Sequence, residues 1–207
     1  MIISSQKGKG NKIHLLLDGE YQITTTAEFW AENFIKDGTD IDEDEWQSLC
    51  RKIEFRKALS KCYDYLSRRD HSQYELRQKL CLKFDKSVCD EVIEHVKQYG
   101  YIDDKRFAEN YTDMLKEKKH FSSFRIKQEL SKKGIDRSII NDIISDFDFD
   151  PVESILELLN GKYSRKLNDE KGIERTKNAL LRLGYNYSDI KTAFNRYNEN
   201  ITYCEDD

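Results

Sequence analysis

Ile126-Lys-Gln-Glu-Leu-Ser-Lys-Lys-Gly134 and Thr176-Lys-Asn-Ala-Leu-Leu-Arg-Leu-Gly184 are two copies of one pattern, 50 residues apart. Each puts two residues four apart on one helix face, and a glycine four further on stops the helix. Leu76, Leu80 and Phe84 repeat the spacing another 50 residues upstream. Asp136 and Asn186, both good helix caps, follow the glycines by two residues. Ile140 and Ile190 then match inside the next helix. In the first copy that helix slips by one or two positions, with Val88, Val92, Ile93 and Val96 as its apolar row. A period near 50 without strand signals is a helical repeat. Each unit is expected to hold a long helix, a short one ending at Gly or Phe, and a medium one. Units this thin must stack on their neighbours to bury their apolar faces. The expected divisions are 54–101, 102–149 and 150–198, the last opened by Asp150-Pro151. An acidic, frayed tail follows over 199–207.

The N-terminal region, 1–53, reads differently. Asp18-Gly19 between Ile13–Leu17 and Glu20–Thr24 is the residue pair of a two-residue β-hairpin. A helix capped by Thr26 is expected to about Lys36, with Gly38 ending it. Asp42-Glu-Asp-Glu45 is a capping box, and Ile41 and Trp46 are placed as its hydrophobic staple. Leu49, Ile53, Ala58, Leu59, Cys62, Tyr63 and Leu66 carry that helix on towards Arg68-Arg69-Asp70. Ser72-Gln-Tyr-Glu75 is a second capping box. The fold class expected is mainly α: an elongated tandem array of three three-helix repeats behind a small β-hairpin and helix.

Composition agrees. Charged residues make up 36% of the 207 and hydrophobic ones 38%, against about 25% charged in ordinary globular chains. That balance suits helical units with wet faces rather than one thick core. One proline and nine glycines argue against collagen, Pro-rich linkers and a turn-dense β-sandwich. Aromatics at 12% argue against disorder. No run approaches the length of a membrane span. Met1–Lys12 is a polar, Gly/Lys-rich tail without a signal-peptide core, so the expected location is the cytoplasm. The five cysteines are odd in number and never spaced CxxC, and the four histidines are scattered. Free thiols and no metal or cofactor are expected.

The formal net charge is −4, unevenly spread. Residues 1–57 are net −3, 58–146 net +2 and 147–207 net −3. Basic groups recur at matching repeat positions: Arg77 with Lys127 and Lys177, Lys83 with Lys133, Lys132 with Arg182. A charge run is ordinarily a solvated face, but stacked repeats would align these into a stripe.

Tyr99-Gly-Tyr-Ile-Asp-Asp-Lys-Arg-Phe-Ala108 is the most distinctive segment. Gly100 ends a helix, Tyr101 and Ile102 dock on it, and Asp103 or Asp104 caps the next. An inter-repeat hinge explains the two aspartates better than catalysis, because a capping carboxylate is tuned away from general-acid work. No phosphate-binding G-x-x-x-x-G-K-[ST] loop, G-x-S-x-G, H-E-x-x-H or C-x-x-C occurs, and Gly8-Lys-Gly10 lies in the polar tail. The chain is not expected to be an enzyme.

Residues 58–197 resemble the bacterial RecX family of recombination regulators. The likeness is carried by Tyr65-Leu-Ser-Arg-Arg-Asp-His-Ser72 with Glu75-Leu76 and Lys79-Leu80, and by Gly100–Ala108. It continues in Arg125-Ile126 with Glu129-Leu130 and Lys133-Gly134-Ile135, and in Leu181–Tyr185 with Asp189-Ile190. Leu17-Asp-Gly-Glu20 and the helix after it resemble the family's variable N-terminal region. Phe121-Ser-Ser-Phe124 lacks the glycine that members often carry before Arg-Ile, and Thr176 replaces an apolar residue. The resemblance implies a non-enzymatic modulator of RecA that lies in the groove of the RecA filament on single-stranded DNA. Such a protein damps ATP hydrolysis, strand exchange and the SOS response. The contact residues expected are Arg68, Arg69, Arg77, Lys79, Lys83, Lys105, Arg106, Arg125, Lys132 and Lys133. Arg68, Arg69 and Arg106 lead because guanidinium binds carboxylates bidentately. Against this, Arg106 has Asp103 and Glu109 within reach for a local pair. Tyr101, Phe107, Leu76 and Leu80 are expected in the core. The chain is expected to act as a monomer with weak direct DNA contact. A plain DNA-binding module and a scaffold for another partner are the rival readings.

Overall fold

Asp18 and Gly19 both adopt positive φ, +50° and +87°, which is type I′ turn geometry. The turn joins β2 (Lys12–Leu17) to β3 (Glu20–Thr26). The computed structural model describes residues 1–146 and 150–205. The N-terminal residues, read above as a polar tail, instead form β1 (Ile2–Lys7), paired antiparallel with β2. The strand is weakly marked in the sequence because only Ile3 is fully buried, Ser4 and Ser5 are half-buried, and Ile2, Gln6 and Lys7 are exposed. Gly8-Lys-Gly10 therefore links two strands. A two-residue β4 (Thr39–Asp40) completes a sheet of order β3-β2-β1-β4.

Thr26 caps α1 (Ala27–Glu32) by accepting a hydrogen bond from Phe29 N. This helix is shorter than expected. Asn33 folds back on Phe29 O through both its backbone N and Nδ2, at 3.1 and 3.0 Å. Gly38 serves the turn into β4, where its N–H reaches Ile3 O. The capping box at α2 (Glu43–Leu66) is complete: Glu45 N donates to Asp42 Oδ1 and Asp42 N to Glu45 Oε2, at 2.8 and 3.1 Å. Ile41 and Trp46 are buried with Ile3, Leu15, Phe29, Trp30 and Ile53, so the staple also fixes α2 against the sheet.

The chain divides into two compact units, Met1–Asp70 with Leu76–Tyr101 and His71–Glu75 with Ile102–Asp207. In the first, α2 packs on α4 (Lys86–Gln98) through buried Ala58, Cys62, Val88, Val92 and Val96. The body of α3 (Gln73–Leu80) adds Leu76 and Leu80, both 0% exposed. In the second unit, α5 (Asp104–Lys119), α6 (Ser123–Lys132) and α7 (Arg137–Ser145) share one core of Phe107, Ala108, Leu115, Ile126, Leu130 and Ile140. A second core joins α8 (Pro151–Asn160), α9 (Glu170–Arg182) and α10 (Tyr187–Glu205) through Ile155, Leu159, Leu180, Tyr185 and Ile190.

Several expectations are corrected. In the third group the first helix, expected to be the longest, is the shortest, and the last, expected to be of medium length, is the longest. The backbone of α10 continues to Glu205 through most of the expected tail, while 206–207 lie outside the described residues. Residues 147–149, at an expected boundary, also lie outside them. Tyr101 is 52% exposed and sets its ring edge-on to Tyr63 at 5.2 Å, so of the docking pair only Ile102 is buried. His120 takes the left-handed position at φ +55° and ends α5. Ser122 then caps α6 through Arg125 N.

The 50-residue repeat has a physical cause inside the second unit. Ser72 Oγ accepts Glu75 N at the start of α3 and donates to Lys133 O, 2.6 Å away at the end of α6. Fifty residues on, Ser122 N donates to Leu183 O at the end of α9, 3.0 Å away. At the first seat Gly134 has φ +71°, and a Cβ there would lie 2.4 Å from Tyr74. At the second, Gly184 has φ +94°, and a Cβ would lie 2.6 Å from Arg125 and Ser122. The glycines stop their helices and admit the start of the preceding copy's middle helix.

Gly134→Ala should lower the thermal midpoint by more than Gly100→Ala. Both glycines have φ +71°, but nothing lies within 4 Å of a Cβ at Gly100. The shared left-handed cost is about 1–2 kcal/mol, about 2–4 °C per kcal/mol for a chain this size. The excess at Gly134 measures the seat, and equal losses would refute it. Ser72→Ala should cost about 1–3 kcal/mol in urea denaturation, from a lost cap and a stranded Lys133 carbonyl. A loss below about 0.5 kcal/mol, the scale of an ordinary surface change, would show that Ser72 is not structural.

Candidate interaction surface

The expected contact residues fall into both units. Arg68 and Arg69 lie in the turn after α2, Arg77 and Lys79 on α3, and Lys83 in the turn after it. Lys105 and Arg106 occupy the first turn of α5, which is capped by Asp103 Oδ1 accepting from both their backbone N–H groups. Arg125 and Lys132 sit on α6, with Lys133 at its C-cap.

These cations differ in what already holds them. Arg77 grips Asp90 of α4 through Nε and a terminal nitrogen, at 2.5 and 3.1 Å. Those hydrogen bonds hold the Asp90 carboxyl below the usual carboxylate range and raise Arg77. Arg125 pairs with Glu129 at 3.1 Å, and Lys132 reaches the same carboxylate at 2.9 Å. Lys133 pairs with Glu75 at 2.5 Å, both side chains mostly buried, and its ammonium lies over the Tyr111 ring. That pair sits at the Ser72 seat and belongs to the packing. Lys79 lies over the Tyr65 ring at 5.0 Å, and Arg69 donates to Asp70 O. Arg68, Lys83, Lys105 and Arg106 are exposed and form no ion pair among the described residues. The local pair of Arg106 with Asp103 or Glu109 is thus not formed. Phe107, Leu76 and Leu80 lie in the core as read.

Burial pushes the Cys62 thiol up to about 11 and that of Cys89 to about 12, so both stay protonated and unreactive near neutral pH. Burial likewise takes Tyr185 to about 12. Asp104 Oδ1 accepts Gln73 N at 2.8 Å, which gives this aspartate a packing role that spacing could not reveal. Among the described residues no cluster of His, Cys, Asp and Glu could hold a metal ion. No described helix is long and apolar enough to cross a membrane.

Reading clusters along the sequence missed a second basic surface. Arg165, Lys166, Arg175 and Arg182 line one concavity beside α9. The signal that finds Arg175 and Arg182 is a repeat comparison: Glu129, which neutralises Arg125 and Lys132, becomes Ala179 fifty residues later.

Two family descriptions match the chain: "RecX, first three-helix domain" over residues 58–95 and "RecX, second three-helix domain" over 103–143. "Regulatory protein RecX" of Clostridioides difficile is 29% identical, covering 94% of this chain and 93% of that protein. "Regulatory protein RecX" of Bacillus velezensis is 30% identical, covering 99% of this chain and 78% of that protein. The crystal structure of a regulatory protein RecX superposes with a TM-score of 0.64 at 22% identity, covering 93% of this chain and 97% of that one, so the fold is shared. With helical groups matching those descriptions and a curated relative 30% identical over 99% of this chain and 78% of its own length, this chain belongs to the RecX family of regulatory proteins.

Proposed function

We propose that the chain regulates RecA by binding in the groove of the RecA–DNA filament, where it inhibits ATP hydrolysis, strand exchange and SOS co-protease activity. Family membership supports a regulator over an enzyme. The observation that carries the contact is electrostatic. In a chain of net −4, Arg68, Lys83, Lys105 and Arg106 are exposed and held by no carboxylate. Unpaired cations lose less on meeting a carboxylate or phosphate, because no existing pair must first be broken. Arg77, Arg125, Lys132 and Lys133 join the contact only by exchanging an internal partner. The functional divisions are the three repeats 54–101, 102–149 and 150–198, and the contact cations lie in the first two. The protein acts as a monomer in the cytoplasm, needs no cofactor, and touches DNA itself only weakly.

RecA ATPase on single-stranded DNA tests this. The wild-type chain should inhibit. The triple variant Arg68→Glu, Lys105→Glu and Arg106→Glu should need at least about tenfold more protein for the same inhibition, the scale of about 1.4 kcal/mol. Its thermal midpoint should stay within about 2 °C of wild type, as surface changes do. Lys133→Glu should behave oppositely, losing stability first because it sets two carboxylates together at the Ser72 seat. Full inhibition by the triple variant would remove these residues from the contact.

A further inference from the structure

α9 begins where the loop after α8 passes close beneath it. Gly172 lies so near that loop that a Cβ would stand 1.9 Å from Lys166 O. Asp169 caps the helix, its Oδ1 accepting Gly172 N at 2.6 Å. This close approach shapes a concavity of about 610 Å³ lined by Arg165, Lys166, Asp169, Arg175, Thr176 and Arg182, among others. The four cations are exposed and form no ion pair among the described residues. Asp169 is the one carboxylate among the described lining residues, and the helix cap already engages it. Thr176 is 1% exposed, and its Oγ1 has no hydrogen-bond partner.

The repeat supplies its own comparison. Arg125, Gln128 and Lys132 on α6 correspond to Arg175, Asn178 and Arg182 on α9, each 50 residues later. On α6 the cations share Glu129. On α9 the corresponding residue is Ala179, so the same arrangement is left open, and both cations are arginines. Arg175 and Arg182 are seven residues apart, about 10 Å along a helix at about 1.5 Å per residue. That separation lets the two guanidinium groups engage separate phosphates of one strand. Guanidinium matches phosphate bidentately and stays charged at any relevant pH.

We propose that this concavity is a phosphate-binding site, held chiefly by Arg175 and Arg182 with Arg165 and Lys166 beside them. It takes the phosphates of a single-stranded nucleic acid or of a free nucleotide. The site lies outside both matched family segments, and it does not depend on the RecA reading. An acidic protein surface fits it less well, because a concavity takes a compact tetrahedral anion more readily than a flat surface does.

The test uses the full chain without RecA, so its failure and that of the filament reading stay separate. Fluorescence anisotropy with a labelled oligothymidylate should show salt-dependent binding. Arg175→Gln with Arg182→Gln should weaken it at least tenfold. The slope of log affinity against log salt should fall by about 1.4, two single-strand contacts at about 0.7 each. Ala179→Glu, which restores the carboxylate of α6, should weaken binding with both arginines in place. Lys7→Gln with Lys12→Gln removes equal charge from the β-sheet and should change little. A free-nucleotide source would appear instead as pyrophosphate and ATP raising the wild-type thermal midpoint but not that of the double variant, with oligonucleotide affinity unchanged. If neither ligand distinguishes wild type from the double variant, the proposal is wrong, including the case where the variant loses only an acidic protein partner.

Discussion

At Gly134 and again at Gly184 the chain turns with positive φ while the first turn of another helix rests against the α-carbon. Both features demand glycine, and for separate reasons. A left-handed backbone penalises any Cβ through its own carbonyl, and close approach penalises it through the neighbour. The hydrogen bonds into Lys133 O and Leu183 O take up carbonyls that a helix end otherwise leaves unsatisfied. The middle helix of one copy thus starts on the end of the middle helix of the next, and the surface of α6 and α9 follows from that placement. Phe84 stands at the corresponding place in the first copy without positive φ.

This arrangement also governs which charges are available. Lys133 lies beside the seat and is drawn onto Glu75, so it holds the packing together. Arg125 lies at the other seat, where Glu129 takes its charge and the Phe121 ring lies 5.5 Å from its guanidinium carbon. Arg68 and Lys83, in turns between helices, and Lys105 and Arg106, in the first turn of α5, are exposed and form no ion pair among the described residues. Lys105 and Arg106 illustrate this: the cap that places them uses their backbone N–H groups and leaves their side chains outward.

Much was legible in the chain before any coordinates. The Asp-Gly turn, the complete Asp42 box and the Asp150-Pro151 start are local devices, each decided within four residues, and the backbone adopts them all. The 50-residue spacing and its buried Leu76, Leu80, Ile126, Leu130 and Leu180 were equally readable, because helix periodicity and burial are coupled. Less legible were β1, whose residues are mostly polar, and the end of α1, where Asn33 competes for Phe29 O before Gly38 is reached.

Sequence by itself determined the helices of the repeats, the Asp-Gly hairpin, the 50-residue spacing and the RecX resemblance, because these rest on periodicity and on caps that act over a few residues. Only the tertiary structure decided which cations are free. Arg77 looks no different from Arg68 in a string of letters, yet it is closed on Asp90, thirteen residues away, while Arg68 is open. Pairing across helices depends on where side chains meet in space. A charge in water and a charge in an ion pair differ by the desolvation and partner exchange that binding would require.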